Sequence, residues 1–157
     1  MIVVSDTSPI CYLLLIGEIE LLPQYGQVLI PQAVQQELAN ERSPAVVQAW
    51  IGQPPEWLVI QTVNIPSDSD LANLDLGERA AIVLALATKA DLIVIDDLLG
   101  RQVARLRQLR VTGLLGILDE AARQKLVDFP EAIARLQQTS FRASSQLIQS
   151  LLQRHCS

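Results

Sequence analysis

Along the chain, short continuous apolar runs alternate with longer segments whose apolar residues recur every three to four positions. The runs at Ile2–Ser5, Val28–Ile30, Leu58–Val63 and Leu92–Ile95, with a weaker one at Arg110–Thr112, are rich in Val and Ile. Apolarity that is continuous rather than alternating marks strands covered on both faces, as in a parallel sheet. Between them, "ICYLLLIGEIELL", "QAVQQELANE", "LDLGERAAIVLALATKA", "LLGRQVARLRQL" and "GLLGILDEAARQKL" predict helices. Two further amphipathic segments, "FPEAIARLQQ" and "SSQLIQSLLQRH", close the chain.

Helix starts are legible. Ser8 followed by Pro9 predicts an N-cap with proline at the first helical position. Pro31 opens the helix after "VLI", and Asp75 with Glu78 three residues on forms a capping-box pattern. "RSPAVVQAWIGQPPEW", with three prolines and a glycine, predicts a short helix ending in a turn. Strands alternating with helices predict an α/β domain, a mainly parallel sheet with helices on both faces. Such folds bind ligands at the carboxyl ends of their strands, so the residue that ends each strand matters most.

Composition narrows the class. The 157 residues suit one domain, which buries roughly two-thirds of its unfolded surface. Half the residues are apolar and 18% charged, and no apolar run reaches a membrane span. The apolar start lacks a basic lead and is broken by Asp6, which argues against a secretory signal and for a cytoplasmic protein. Cys11 reads as a core thiol and Cys156 as a tail thiol, too far apart for a metal-ligand spacing. The one histidine, His155, falls three residues from the end, in what reads as a frayed tail. That placement argues against Ser-His-Asp, Cys-His and His-zinc chemistry.

The net charge of −5 argues against a binder of phosphates, but its distribution changes that picture. Residues 1–78 hold ten acids and one base, Arg42, whereas residues 79–157 hold seven acids and eleven bases. Arg101, Arg105, Arg107 and Arg110 fall within ten residues, a pattern that fits a basic surface or an ordinary solvated helix face.

The acids at the strand ends carry the chemistry. The first run ends at Asp6 and "LIVI" ends at Asp96 and Asp97; Glu78 lies in the first turn of the helix leading into that run. Glu37 lies about two turns into the helix after "VLIP", beside Ala33, Val34 and Leu38. Each has an ordinary reading as a turn, cap, loop or solvated residue. Together they converge on one sheet edge, and two carboxylates 4 Å apart repel by on the order of 4 kcal/mol at an effective dielectric of 20. A counter-charge is therefore expected, either arginine or a divalent ion. An all-oxygen set selects Mg²⁺ or Mn²⁺ over zinc and suits phosphoryl chemistry.

In order and spacing, "VVSDTSPI", "IPQAVQQEL", "LDLGERAAIVLA" and "LIVIDDLLGRQVA" resemble the acid motifs of PIN-domain proteins, small metal-dependent ribonucleases that include VapC-type toxins. "VTGLLGILDEAARQKLV" resembles a mostly uncharacterised PIN-like nucleic-acid-binding branch. The similarity covers residues 1–128, leaving 129–157 as a helical appendix on the same domain. The resemblance implies a three-layer α/β/α fold with five strands ordered 3-2-1-4-5, and an acidic pocket for one or two Mg²⁺ or Mn²⁺. It implies endonucleolytic cleavage of RNA, an antitoxin partner if the protein is a toxin, and a homodimer. Carried over by position, Asp6, Glu37, Glu78 and Asp97 form the pocket, with Asp96 competing for the last place. Asp6, Glu78 and the Asp96–Asp97 pair would hold the ion, and Thr7 or Ser8 would bond the first acid, a water or a phosphate. Arg101 and Arg105 would grip RNA.

Two departures point to an alternative, a non-catalytic PIN-like module that binds RNA or protein. Many members carry aspartate where this chain has Glu78, and Ile95 stands where a hydroxyl often precedes the last aspartate. Phosphatase and receiver folds fit less well, since Ser8 occupies the place of the phosphatase's second aspartate.

Overall fold

The computed structural model describes residues 1–67 and 71–155. One sheet carries β1 (Ile2–Ser5), β2 (Gln27–Pro31), β3 (Leu58–Gln61), β4 (Leu92–Val94) and β5 (Val111–Thr112), ordered β3-β2-β1-β4-β5. Every neighbouring pair is parallel, as the continuous apolar runs predict. The third strand is shorter than the expected Leu58–Val63, and the second reaches Pro31.

The pleat sorts each strand's residues between two cores. Val3, Val28, Ile30, Leu92 and Val94 enter one, and Val4, Leu29, Ile93 and Ile95 the other. The first is covered by α1 (Thr7–Leu15), α2 (Gln32–Leu38), α3 (Ala45–Gly52), α6 (Leu114–Arg123) and α7 (Phe129–Gln137). The second is covered by α4 (Leu76–Thr88) and α5 (Leu98–Leu106). The result is the three-layer α/β/α fold, with the inner strands β1, β2 and β4 buried on both faces and the edge strands partly exposed.

Two local expectations need correction. Asp6, not Ser8, stands at the N-cap position of α1, and its side chain makes no capping bond. The helix expected to run through "ICYLLLIGEIELL" stops at Leu15, and a 3₁₀ segment, Ile19–Tyr25, follows. Gly17 takes φ +78°, the left-handed conformation that ends helices cheaply only at glycine. Arg135 of α7 donates to the Ile16 carbonyl freed there and pairs with Glu18 at 3.0 Å. Asp75 caps α4 as expected, accepting from the Glu78 amide at 2.9 Å.

The final helix, α8 (Ser145–Arg154), buries no residue fully, and Ile148, Leu151 and Leu152 rest half-buried against the first core. Its end is anchored by Asp119 of α6. That buried carboxylate meets Arg123 and Arg154 at 3.0 Å and His155 Nε2 at 2.7 Å, while the His155 ring lies 4.6 Å from that of Phe129. His155 is thus held in place rather than frayed. Cys156 lies outside the described residues. Asp119→Ala is expected to cost about 1–3 kcal/mol, because removing a buried acceptor strands its donors and two of these are half in solvent. Urea unfolding checks the cost, and amide exchange in α8 should rise in parallel; unchanged protection there would remove Asp119 as the anchor. Among the described residues no helix is long and apolar enough to cross a membrane.

Candidate functional site

β1 and β4 are register neighbours, Ser5 beside Val94, so the residues that follow them leave the sheet side by side. The Asp6 amide donates to the Val94 carbonyl at 2.9 Å, which fixes Asp6 next to the start of the Asp96–Asp97 turn. The crossing of α2 over α4 brings Glu37 in. A Cβ built on Gly77 would lie 2.1 Å from Glu37 Oε2, so the absent side chain is what lets this carboxylate lie against α4. Gly113 does the same for Asp96: a Cβ there would stand 2.6 Å from Asp96 Oδ1 and 2.9 Å from Arg101 Nη1.

These placements surround a cleft of about 540 Å³ lined by Asp6, Thr7, Ser8, Cys11, Tyr12, Glu37, Asp75, Glu78, Asp96, Asp97, Phe141 and Arg142. All five acids anticipated from the strand ends line it. Arg101 and Arg105 are not among the lining residues; Arg101 sits by Asp96 beyond Gly113, and Arg105 is exposed a turn further along α5. Sequence reasoning gave Asp75 only a capping role and Cys11 only a core role, and it missed Tyr12, Phe141 and Arg142. Ser8, Cys11 and Tyr12 are spaced i, i+3, i+4, a face of α1 that was readable in advance. Nothing local marks Phe141 and Arg142, which arrive by packing of the C-terminal segment.

The hydrogen bonds separate the acids into occupied and unoccupied groups. The Thr7 hydroxyl donates to both oxygens of Glu37, at 3.2 and 3.3 Å, rather than to Asp6. Asp97 Oδ2 accepts from the Gly100 amide at 3.1 Å and caps α5, and Asp96 Oδ1 accepts from the Leu114 amide at 2.8 Å at the start of α6. By contrast, Asp6 Oδ1, Glu78 Oε2 and Asp96 Oδ2 are buried with no hydrogen-bond partner. A buried polar atom left unpaired costs about 1–3 kcal/mol, more for a charge, so three on one cleft is an unusual concentration.

Titration follows from this. Burial, resisted by the Thr7 amide and reinforced by Asp75, Glu37 and Asp96, pushes the Asp6 carboxyl up to about 7. Burial, then Asp75, Asp6 and Asp97, holds Glu78 well above the carboxylate range. Burial also raises Glu37 and Asp96, the latter restrained by the Leu114 amide, Arg101 and Ser8. Several acids that cannot all ionise together are short of positive charge at neutral pH. Hard oxygens with free lone pairs and no nitrogen or sulfur donor beyond the Cys11 thiol fit Mg²⁺ or Mn²⁺. The carboxylates share the cleft without closing round one point: among the described residues no three of His, Cys, Asp or Glu already form a ligating group.

An all-parallel α/β/α sheet whose central strands deliver acids to one edge defines a class of acidic-cleft domains with the PIN strand order. The family model DUF3368, a PIN domain, matches residues 2–157, and the chain belongs to that PIN-domain family. PIN domains are generally nucleases, bind nucleic acid and commonly use divalent metals. No curated protein and no solved structure matches the chain.

Proposed function

We propose that the chain is a divalent-metal-dependent endoribonuclease that hydrolyses phosphodiester bonds at the β1/β4 edge. The observation that carries this reading is the set of three buried, unpartnered carboxylate oxygens, on Asp6, Glu78 and Asp96, from three separate segments around one cleft. Asp6, Glu78 and Asp96 would hold Mg²⁺ or Mn²⁺, with Asp97 at the solvent side of the same pair. A bound ion there supplies charge stabilisation and activation of water for attack on phosphorus. The remaining work belongs to the chain. Thr7 keeps Glu37 in a fixed orientation from which it can accept a proton from an attacking water, and the Leu114 amide orients Asp96. Toxin activity restrained by an antitoxin, and assembly as a homodimer, extend the proposal through the family resemblance.

The test is cleavage of labelled single-stranded RNA by the purified protein with Mg²⁺ or Mn²⁺ against EDTA. Asparagine at either position of the acid pair keeps a carbonyl oxygen for the cap and removes the charge, so the two variants separate chemistry from folding. Asp96→Asn is expected to lose about 100-fold or more in kcat and Asp97→Asn about tenfold or less. The reverse order would move the ion to Asp97. Metal-dependent binding without any cleavage by the wild type would favour the non-catalytic module.

A further inference from the structure

Six carboxylates line the cleft beside the neutral α1 face of Thr7, Ser8, Cys11 and Tyr12. Among its lining side chains Arg142 is the cation, and it comes from the segment between α7 and α8, outside the elements that carry the acids. Arg142 is exposed, and among the described residues its guanidinium donates from Nη1 to the Phe141 carbonyl at 3.1 Å, which leaves other donors of its fork available. Phe141 and Arg142 also line a second depression, of about 390 Å³, whose other walls combine Gln137, Ser145 and Gln149 with Ala143, Ile148 and Leu152. The two residues therefore stand between the acid cleft and a groove of mixed polar and apolar character along α8.

Phe141 is fixed in that position from two sides. Its ring meets Tyr12 edge-on, with centroids 5.3 Å apart and planes at 76°, and the Tyr12 hydroxyl bonds Ser140 Oγ at 2.8 Å. Phe141 is half-buried against the first core, and an edge-on pair leaves each ring at least one face that its partner does not cover, which a stacking surface needs. The anchoring of α8 through Asp119 holds the far end of the segment.

A polyanion approaching six carboxylates needs compensation and a place to lay its bases. We propose that this segment guides a single-stranded nucleic acid out of the cleft, Phe141 stacking an unpaired base and Arg142 pairing with the adjoining phosphate. A base inside a duplex offers no free face to a side chain, so the element selects unpaired strands. The inference rests on the nuclease reading of the cleft and adds the path of the strand and the two residues that hold it.

Steady-state cleavage of single-stranded RNA and DNA 12-mers of one sequence, in Mn²⁺, tests it, with a blunt hairpin as the paired control. Phe141→Leu, which keeps apolar bulk against Tyr12, and Arg142→Ala are each expected to raise KM roughly tenfold on the unpaired strand, with kcat within about twofold. Arg142→Ala should also reduce the salt slope of log(kcat/KM) by about one, and the hairpin should remain a poor substrate for all three proteins. Unchanged KM in both variants of a protein that cleaves would overturn the path and leave the nuclease reading intact. Faster cleavage by Arg142→Ala would also overturn it, since Arg142 would then compete with the strand. If the wild type cleaves nothing, the nuclease reading falls, and anisotropy with the same oligonucleotides decides the path separately. Binding weakened by both variants upholds it; binding absent or unaltered overturns it. Circular dichroism confirms that each variant is folded.

Discussion

Asp6→Asn is expected to abolish metal-dependent cleavage, by about 100-fold or more in kcat, while leaving the folded state as stable as before or more so. The two halves follow from one geometry. Asp6 stands at the N-cap position of α1, yet its side chain caps nothing and its Oδ1 is buried without a partner. Asparagine fills the same volume and keeps the backbone bond to Val94. What it removes is a charge that burial opposes, so folding loses little. A capping aspartate would tolerate asparagine equally well, since Asn caps as Asp does, but would lose about 1 kcal/mol on Asp6→Ala; a side chain that caps nothing has no such bond to lose. Thermal melts run beside the kinetic assay check both halves. A variant that loses stability and keeps its activity would show Asp6 to be structural.

Without metal, the wild type is expected to be more stable at pH 5 than at pH 8, by roughly 5–10 °C in melting temperature. The sign comes from Asp6, whose carboxyl titrates at about 7 in the fold against an ordinary value of 3.8. Between those values the folded state binds more protons than the unfolded state, so unfolding free energy falls as pH rises from about 4 to 7. Glu78 pushes in the same direction and carries the loss to higher pH. The sum is on the order of a few kcal/mol. Mn²⁺ at pH 8 should restore the loss, because a ligand that binds only the folded, ionised site stabilises it by mass action. Asp6→Asn should flatten the pH dependence and blunt the rescue. Melting temperatures that rise from pH 5 to 8 in EDTA would contradict this account of the cleft.

Much of the architecture was legible because the strands are buried on both faces and their Val/Ile runs have no competing helical period. The acids were legible because topology places every strand end at the same edge. What the chain hid depends on longer-range contacts. Pro9 suggested a cap at Ser8, but the Asp6 amide is drawn to Val94 on the neighbouring strand, and both the cap and the first residue of α1 fall two residues earlier. The end of α1 at Gly17 is secured by Arg135, over a hundred residues away. His155 looked peripheral because its partner Asp119 lies 36 residues earlier on α6, in a segment whose helical pattern gave that acid no role. Phe141 and Arg142 carry no local signature, since contacts with Tyr12, over a hundred residues away, help to bring their segment to the cleft.

The central claim is that these carboxylates are a cation site, and Mn²⁺ titration read by electron paramagnetic resonance tests it most directly. The wild type at pH 8 should remove one to two equivalents of free Mn²⁺ signal, with uptake falling steeply below pH 7 as Asp6 takes up its proton. Asp6→Asn and Glu78→Gln should each weaken uptake at least about tenfold. Uptake of equal strength in the wild type and both variants, or none in the wild type at millimolar Mn²⁺, would contradict the claim.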